Sequence, residues 1–419
     1  MTVLVLGGGG RENALALAIS HDPAVNAVHA APGNPGTAGF ATNHSVDIND
    51  GAAVTALARE IGAHLVVIGP EAPLVGGVAD VVRQAGIACF GPSRGAAQLE
   101  GSKAFAKSVM AAAGVPTARF RACRSIAQAA AALDEFGAPY VVKADGLAAG
   151  KGVVVTNDRE AALAHAAQCE RVVIEEYLDG PEMSLFVVTD GTAAVPLMPA
   201  QDFKRVGEGD EGPNTGGMGS YAPLPWLPEG TVDTVMEQVV HPTLARMRTL
   251  DIPFAGLLYV GLALTSAGPR VVEFNARFGD PETEVVLPLS DGPMGQLLYA
   301  AATGHLDEMP SFGRLPGACV CVVMASDGYP GSPKKGCPIV LPPEPESVHV
   351  IHAGTALDDK GQLVSAGGRV LVVVARGDDL EQARARAYAY IDEVDFADGF
   401  CRRDIASPDR LKMISARLG

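Results

Sequence analysis

Short aliphatic and β-branched runs alternate with stretches of helical apolar spacing through the first hundred positions. Val3-Leu4-Val5-Leu6 ends on glycine, and apolar residues then recur at helical spacing over 12–19. The same alternation predicts a strand near 25–30, a helix near 52–61 and a strand at 65–68. Continuous apolar runs separated by helices mark a parallel sheet buried on both faces, so a parallel α/β domain is expected here. A further helix is expected near 102–113, closed by Gly114-Val115-Pro116. Over 138–188 the pattern changes to strand-rich hairpins with one helix near 159–167, an α+β unit small enough to be a lid. A long Gly/Pro-rich loop region follows, then a long helix near 231–250 and strands at 254–264 and 270–275. From about 316 a last unit shows strands near 319–324, 348–353 and 369–374 and a helix near 380–391. The fold class expected is therefore α/β and α+β multidomain, with no internal repeat, coiled coil or disordered tract.

Length and charge narrow this picture. At 419 residues the chain exceeds one core and suggests two to four domains. A formal net charge of −16 opposes nonspecific binding to nucleic acid or anionic membrane, so no nucleic acid and no membrane is expected as a partner. No apolar run approaches the eighteen or so residues of a membrane span, and the first strand enters glycine without a basic leader or cleavage site. A cytoplasmic location is expected. Seven scattered cysteines, with no C-x-x-C pair, read as reduced thiols in packing roles rather than as zinc or redox ligands.

One segment carries most of the chemistry. Val141-Val142-Lys143-Ala144-Asp145-Gly146-Leu147-Ala148-Ala149-Gly150-Lys151-Gly152-Val153 sets two lysines around a glycine-punctuated loop between β-branched runs. Lysines neutralise phosphate, and glycines let backbone N–H groups approach its oxygens. The segment is not a Walker A loop: Gly146 and Gly150 stand one residue too close, Gly152 replaces the hydroxyl residue, and a strand follows where a helix should open. A hairpin cap over phosphates is the functional reading, and an ordinary turn between strands is the alternative.

Other constellations lie along the chain in an order that gives each more meaning. Gly7-Gly8-Gly9-Gly10-Arg11-Glu12-Asn13 joins the first strand to the first helix, where N–H groups and the helix dipole favour a monophosphate. Gly69-Pro70-Glu71 follows another strand of the same sheet, at the edge where open α/β sheets bind ligands. Glu175-Glu176-Tyr177-Leu178 ends an apolar run and reads as a hinge whose backbone reads an adenine edge, with the Glu182 carboxylate on ribose hydroxyls. Glu273 and Asn275 are two apart on a strand, which places two hard oxygen ligands on one face, suited to Mg²⁺ on a polyphosphate. Arg277, Asp280 and Glu282 follow at once. Asp202, Lys204 and Arg205, with Asn214, Thr215, Gly216 and Gly217, bracket an acidic loop.

Taken in chain order these segments resemble the ATP-grasp enzymes, most closely the glycinamide ribonucleotide synthetase family, across nearly the whole chain. The resemblance implies an N-terminal α/β substrate-binding domain at 1–101, a central ATP-grasp domain at 102–120 and 190–315, a lid at 121–189 and a small α+β domain at 316–419. It implies ATP as substrate with Mg²⁺ or Mn²⁺, and ligation of glycine to 5-phosphoribosylamine through glycyl phosphate. The enzyme that supplies the amine is implied as a transient partner. By the same resemblance Lys103, Lys143, Gly150, Lys151 and Gly152 meet ATP phosphates. Glu175, Glu176 and Leu178 form the adenine hinge, Glu182 takes the ribose, and Glu273 and Asn275 hold the metal. Gly9, Gly10, Asn13, Gly69 and Glu71 face the ribosylamine; Asp202, Asn214, Thr215, Gly216 and Gly217 bind substrate; Lys204, Arg277 and Asp280 serve catalysis.

Three positions depart from the family pattern: Asn13 stands where histidine is common, Phe203 replaces a histidine after Asp202, and Ala276 replaces a cysteine. Phe203 has no proton to transfer. The strand at 254–264 also lacks the acid that many ATP-grasp relatives place before Glu-x-Asn, so metal binding should lean on ATP oxygens. Competing readings are a carboxylase or synthetase acting on another phosphoribosyl intermediate, a noncatalytic nucleotide sensor, and a nicotinamide-dependent oxidoreductase. The last leaves the lysine loop and Glu273-x-Asn275 unexplained.

Overall fold

The computed structural model describes residues 1–147, 152–310 and 312–417. Five parallel strands open the chain, in the spatial order Thr42–Asn43, Ala27–Pro32, Thr2–Gly7, Leu65–Ile68 and Ala88–Phe90. Val3 to Leu6 and Leu65 to Val67 are wholly buried, which explains their unbroken apolar character. The order reverses between Thr2–Gly7 and Leu65–Ile68, so the carboxyl ends of these two strands flank the crevice where such sheets bind ligands. The second strand runs at Ala27–Pro32, two residues later than its apolar run suggests, because its register is set by pairing along Thr2–Gly7.

A small antiparallel sheet of Phe120–Cys123, Val172–Glu175, Tyr140–Ala144 and Val153–Thr156 makes up the unit expected as a lid. The helices Ile126–Phe136 and Arg159–Ala167 cover it around a core of its own that includes Leu133, Val142 and Ile174. The strand Glu182–Thr189, which the sequence reading counts with the lid, pairs instead with Gly256–Thr265 in a four-stranded sheet completed by Ala194–Pro196 and Gly268–Asn275. Gln201–Asp202 and Gly219–Ala222 likewise leave the central unit and extend the C-terminal sheet of Ala318–Ser326, Arg369–Gly377 and Val348–His352. The helix Leu380–Ile391 packs on that sheet through Ala383, Ala387 and Tyr388. The expected long helix is continuous but contains a π turn, running as Thr231–Val235, Met236–Val240 and His241–Thr249.

The acidic loop between Asp202 and Gly219 is ordered by the C-terminus. Arg205–Gly207 and Glu211–Asn214 pair as a hairpin. The buried Arg402 guanidinium lies 5.0 Å over the Phe203 ring and donates to Asp404, Asp210 and the Arg205 carbonyl. Phe203 itself is buried against Tyr221, so the side chain that departs from the family pattern serves packing.

Candidate active site

At the carboxyl edge of the first sheet the chain turns from strand to helix through Gly7, whose φ of +124° and closeness to Glu12 exclude any side chain. The Gly9 N–H donates to Glu12 Oε2 at 2.8 Å, and Arg11 Nε holds the other oxygen at 2.5 Å. A Cβ placed on Gly9 would lie 4.0 Å from Asp280 Oδ2, so Asp280 faces the glycine turn. Asn13 is buried, and its amide oxygen accepts the His352 N–H at 2.8 Å, which ties the first helix to the C-terminal sheet. Gly69 continues the backbone pairing, its N–H donating to the Leu6 carbonyl, and it too lies against Glu12.

Glu71 lies between two guanidiniums, Arg277 Nε at 3.4 Å and Arg11 at 3.7 Å. Burial opposes its charge, but the two arginines outweigh that and hold its carboxyl below the usual range. Arg277 also reaches Glu100 at 3.0 Å, and Glu100 accepts the Ala276 N–H at 2.8 Å. Arg277 thus joins the first domain to the central one. Asp280 pairs with Arg369 at 3.1 Å, and the same guanidinium donates to the carbonyls of Asp280 and Gly216. Gly217 has φ +115°, and a Cβ there would strike Pro281 Cδ at 2.4 Å. The Thr215 hydroxyl donates to the Lys204 carbonyl and accepts the Gly217 N–H, while Asn214 ends the hairpin opposite Arg205.

Lys204 bridges two carboxylates, Asp202 Oδ1 at 2.7 Å and Glu182 Oε2 at 3.0 Å. Burial works against the ammonium, yet these neighbours push its pKa well above the ordinary lysine value. Burial raises the Asp202 carboxyl, only partly offset by Lys204, while Lys204 holds Glu182 down. Beneath this group Glu282 Oε1 accepts from Ser184 Oγ at 3.0 Å and from the Tyr259 hydroxyl at 2.8 Å.

The lid contributes a buried charge cluster. Lys143 Nζ donates to Glu175 Oε2 at 3.0 Å and to the Val272 carbonyl at 2.9 Å. Burial opposes its charge, but Glu175 and Glu273 raise its pKa. Lys103 Nζ donates to the Gly146 carbonyl at 3.0 Å, and burial lowers its pKa. Asp145 accepts from Ser102 Oγ and the Ala104 N–H, so the start of the glycine segment is tied to the helix Lys103–Ala113. The Gly152 carbonyl accepts the Ala144 N–H at 2.7 Å; Gly150 and Lys151 lie outside the described residues. Past Glu175, a cleft of about 180 Å³ opens between Glu176, Tyr177 and Leu178 on one side and Thr265 and Arg270 on the other. The Glu176 carboxylate is occupied by Arg119 and Arg270.

Glu273 and Asn275 share one face of Gly268–Asn275, opposite Gly261 and Tyr259. A carboxylate and an amide oxygen form a hard donor set that fits Mg²⁺. Among the described residues no group of three or more His, Cys, Asp and Glu is placed to hold a metal, so further ligands must come from outside that set.

Sequence reasoning missed Lys107, Glu100, Tyr259, Ser184 and Arg369. Lys107 follows Lys103 by one helical turn, a spacing that flags a shared face. The others are partners across the fold and leave no local signal.

The comparisons agree along the whole chain. The family models for the phosphoribosylglycinamide synthetase N domain, ATP-grasp (A) domain and C domain match residues 1–100, 101–283 and 319–408. The chain is 59% identical to a phosphoribosylamine–glycine ligase of Streptomyces coelicolor, over 97% of this chain and 99% of that one. It is 57% identical to the Mycobacterium leprae protein of the same name, over 97% of each. The crystal structure of phosphoribosylamine–glycine ligase from Thermotoga maritima superposes with a TM-score of 0.84 at 35% identity, covering 97% of this chain and all of that one. A biotin carboxylase domain from Hydrogenobacter thermophilus, 17% identical with a TM-score of 0.71 over 95% of this chain and 91% of that one, shares the fold.

Proposed function

The chain belongs to the phosphoribosylglycinamide synthetase family, and from that premise we infer how its residues divide the reaction among them. It ligates glycine to 5-phosphoribosylamine with ATP, giving glycinamide ribonucleotide, ADP and phosphate, a step of purine biosynthesis. An oxygen of the glycine carboxylate attacks the γ-phosphorus, and ADP leaves. The amine nitrogen then attacks the acyl carbon of glycyl phosphate, phosphate leaves and the amine loses a proton. Carboxylate and amine are nucleophiles already, so catalysis reduces to alignment and charge neutralisation.

Lys103 and Lys143 are assigned to the phosphates, supported by Lys103 donating to the Gly146 carbonyl of the glycine segment at 3.0 Å and by Lys143 donating at 2.9 Å to the Val272 carbonyl, one residue before Glu273. That convergence of two cations from the central helix and the lid beside a metal-type carboxylate is the observation that carries the reading. Gly150, Lys151 and Gly152 are assigned to the loop above them, the adenine to the backbone at Glu175, Glu176 and Leu178, and the ribose to Glu182 with Lys204 beside it. Glu273 and Asn275 would hold Mg²⁺ or Mn²⁺, which when bound neutralises polyphosphate charge. The helix start at Gly9 and Gly10 would take the ribosylamine phosphate, with Arg11 adding charge and Asn13 offering its amide NH₂. Gly69 and Glu71 border the ribose. Asp202, Asn214, Thr215, Gly216 and Gly217 line the glycine side, and Asp280, presented by Arg369, faces the amine. Arg277 keeps Glu71 and Glu100 together across that crevice.

We place the reaction in the cytoplasm, supported by free thiols at all seven cysteines. A transient contact with the enzyme supplying the amine is part of this reading, since a glycosylamine hydrolyses in water. The test is ADP release with 5-phosphoribosylamine and glycine, bicarbonate or neither. Release is expected only with glycine; glycine-independent release refutes the reading.

A further inference from the structure

Lys107 has no part in the roles above, although it is at least as deeply buried as Lys143. It lies on Lys103–Ala113, one turn beyond Lys103. Its ammonium donates to Thr117 Oγ1 at 2.8 Å and meets Glu175 Oε2 at 3.1 Å. That oxygen is the one that receives Lys143 at 3.0 Å. One carboxylate from the lid strand Val172–Glu175 is therefore shared between a lysine of the central helix and a lysine of the lid strand Tyr140–Ala144. All three side chains are nearly withdrawn from water, so these three groups by themselves sum to one positive charge where the dielectric is low, with Glu273 the next carboxylate to act on Lys143.

We propose that Lys107 is a positioning residue for ATP, which occupies Glu175 so that the charge of Lys143 is left for the polyphosphate. This rests on the assignment of Lys143 to ATP phosphates made above. With Lys107 neutral, Glu175 compensates Lys143 alone and the local charge falls to zero. The groups facing Lys107 are Glu175 and Lys143 from the lid strands, Glu176 just beyond, the Thr117 hydroxyl and the Phe120 ring at 5.7 Å. Glu176 is already held by Arg119 and Arg270, so it does not substitute for Glu175. Burial, opposed by Glu175 and reinforced by Lys143, brings the Lys107 ammonium down to about 8. Its charge is therefore lost in mildly alkaline solution.

The experiment measures ATP binding by calorimetric titration of the full chain with Mg²⁺, at pH 7 and pH 9. Wild type is expected to bind about tenfold more weakly at pH 9, and Lys107→Met about tenfold more weakly at both pH values. Lys107→Arg, whose guanidinium does not titrate in this range, should bind tightly at both. Lys107→Gln keeps a polar contact with Thr117 and stands beside the methionine variant as a second neutral form; thermal unfolding checks that each variant is folded. Wild-type affinity and pH dependence in both neutral variants overturn the inference while Lys143→Ala loses ATP. Undiminished ATP binding in Lys143→Ala overturns the assignment of Lys143, and this inference with it.

Discussion

Replacing Glu175 with glutamine should damage stability most and chemistry least among changes to the lysine cluster. In the native protein one Glu175 oxygen receives Lys107 at 3.1 Å and Lys143 at 3.0 Å, and each of these side chains is 5% exposed or less. Glu175→Gln removes the one carboxylate in contact with both buried ammoniums and leaves Lys143 only the more distant Glu273 and Glu182. Removing one partner of a buried pair costs about 3–5 kcal/mol, because the remaining charge stays desolvated. At this chain length that lowers Tm by roughly 3–6 °C. Lys143→Met is milder, since Glu175 keeps Lys107 and the chief loss is the donor to the Val272 carbonyl, about 1–3 kcal/mol. Lys107→Met is milder still, because the Glu175–Lys143 pair survives. Turnover should follow a different order. Lys143→Met removes a charge from the transferring phosphate and should lower kcat by about 10²–10³-fold. Glu175→Gln keeps both ammoniums and should lose much less per folded molecule. Urea unfolding and ADP release on the same preparations decide the matter. If Lys143→Met is the more destabilised, or Glu175→Gln the less active, the shared-carboxylate account fails.

Stability should also respond to pH through Lys107. Below pH 8 folded and unfolded chains both hold its proton, so the burial cost is fully present. Between about pH 8 and 10.5 only the unfolded chain holds the proton, so stability rises with pH, by up to about 3 kcal/mol, and the difference between wild type and Lys107→Met traces it in urea melts. Gly217→Ala should cost about 2–4 kcal/mol in the same measurement, since φ is +115° and the new Cβ would lie 2.4 Å from Pro281 Cδ. Arg369→Met should lower kcat/KM for the ribosylamine about 100-fold with the fold retained, because the guanidinium joins Asp280 to Gly216; steady-state kinetics at saturating ATP and glycine check it.

What the sequence made legible was local. The strand, glycine turn and helix at 2–20 form one unit, and the apolar run, Gly7 and Glu12 each keep their neighbours within a few positions. Glu273 and Asn275 are read from strand spacing alone. Sheet membership was not legible: the largely apolar run from Met183 to Val188 suits a lid strand or a central one equally, and only its pairing with Gly256–Thr265 decides. The helix Ile126–Phe136 lies outside the expected elements, although Ser125 caps it, its alanines favour a helix, and Ala129, Ala132 and Leu133 form its buried face. Partners of the expected residues were hidden by separation: Arg369 lies 89 positions from Asp280, and Glu100 lies 176 from the backbone N–H it accepts.

The ion pairs at the site share an arrangement that ties its parts together. Glu175 lies between Lys107 and Lys143, Glu71 between Arg11 and Arg277, Arg277 between Glu71 and Glu100, and Lys204 between Asp202 and Glu182. Several of these contacts cross from one sheet to another. The unit at 120–175, whose apolar cluster is its own, is thus registered on the central one partly by shared charges, whereas the first, central and C-terminal sheets also share continuous apolar clusters. An apolar contact is indifferent to a phosphate or a carboxylate entering beside it. A carboxylate shared between two cations is not, because an incoming anion competes for the same ammonium or guanidinium. On the proposed assignments, ATP and the ribosylamine phosphate would meet cations already partly neutralised, and binding them would redistribute the pairs that hold the units together. The same assignments would couple substrate charge to the relative placement of lid, first domain and centre through the same few side chains.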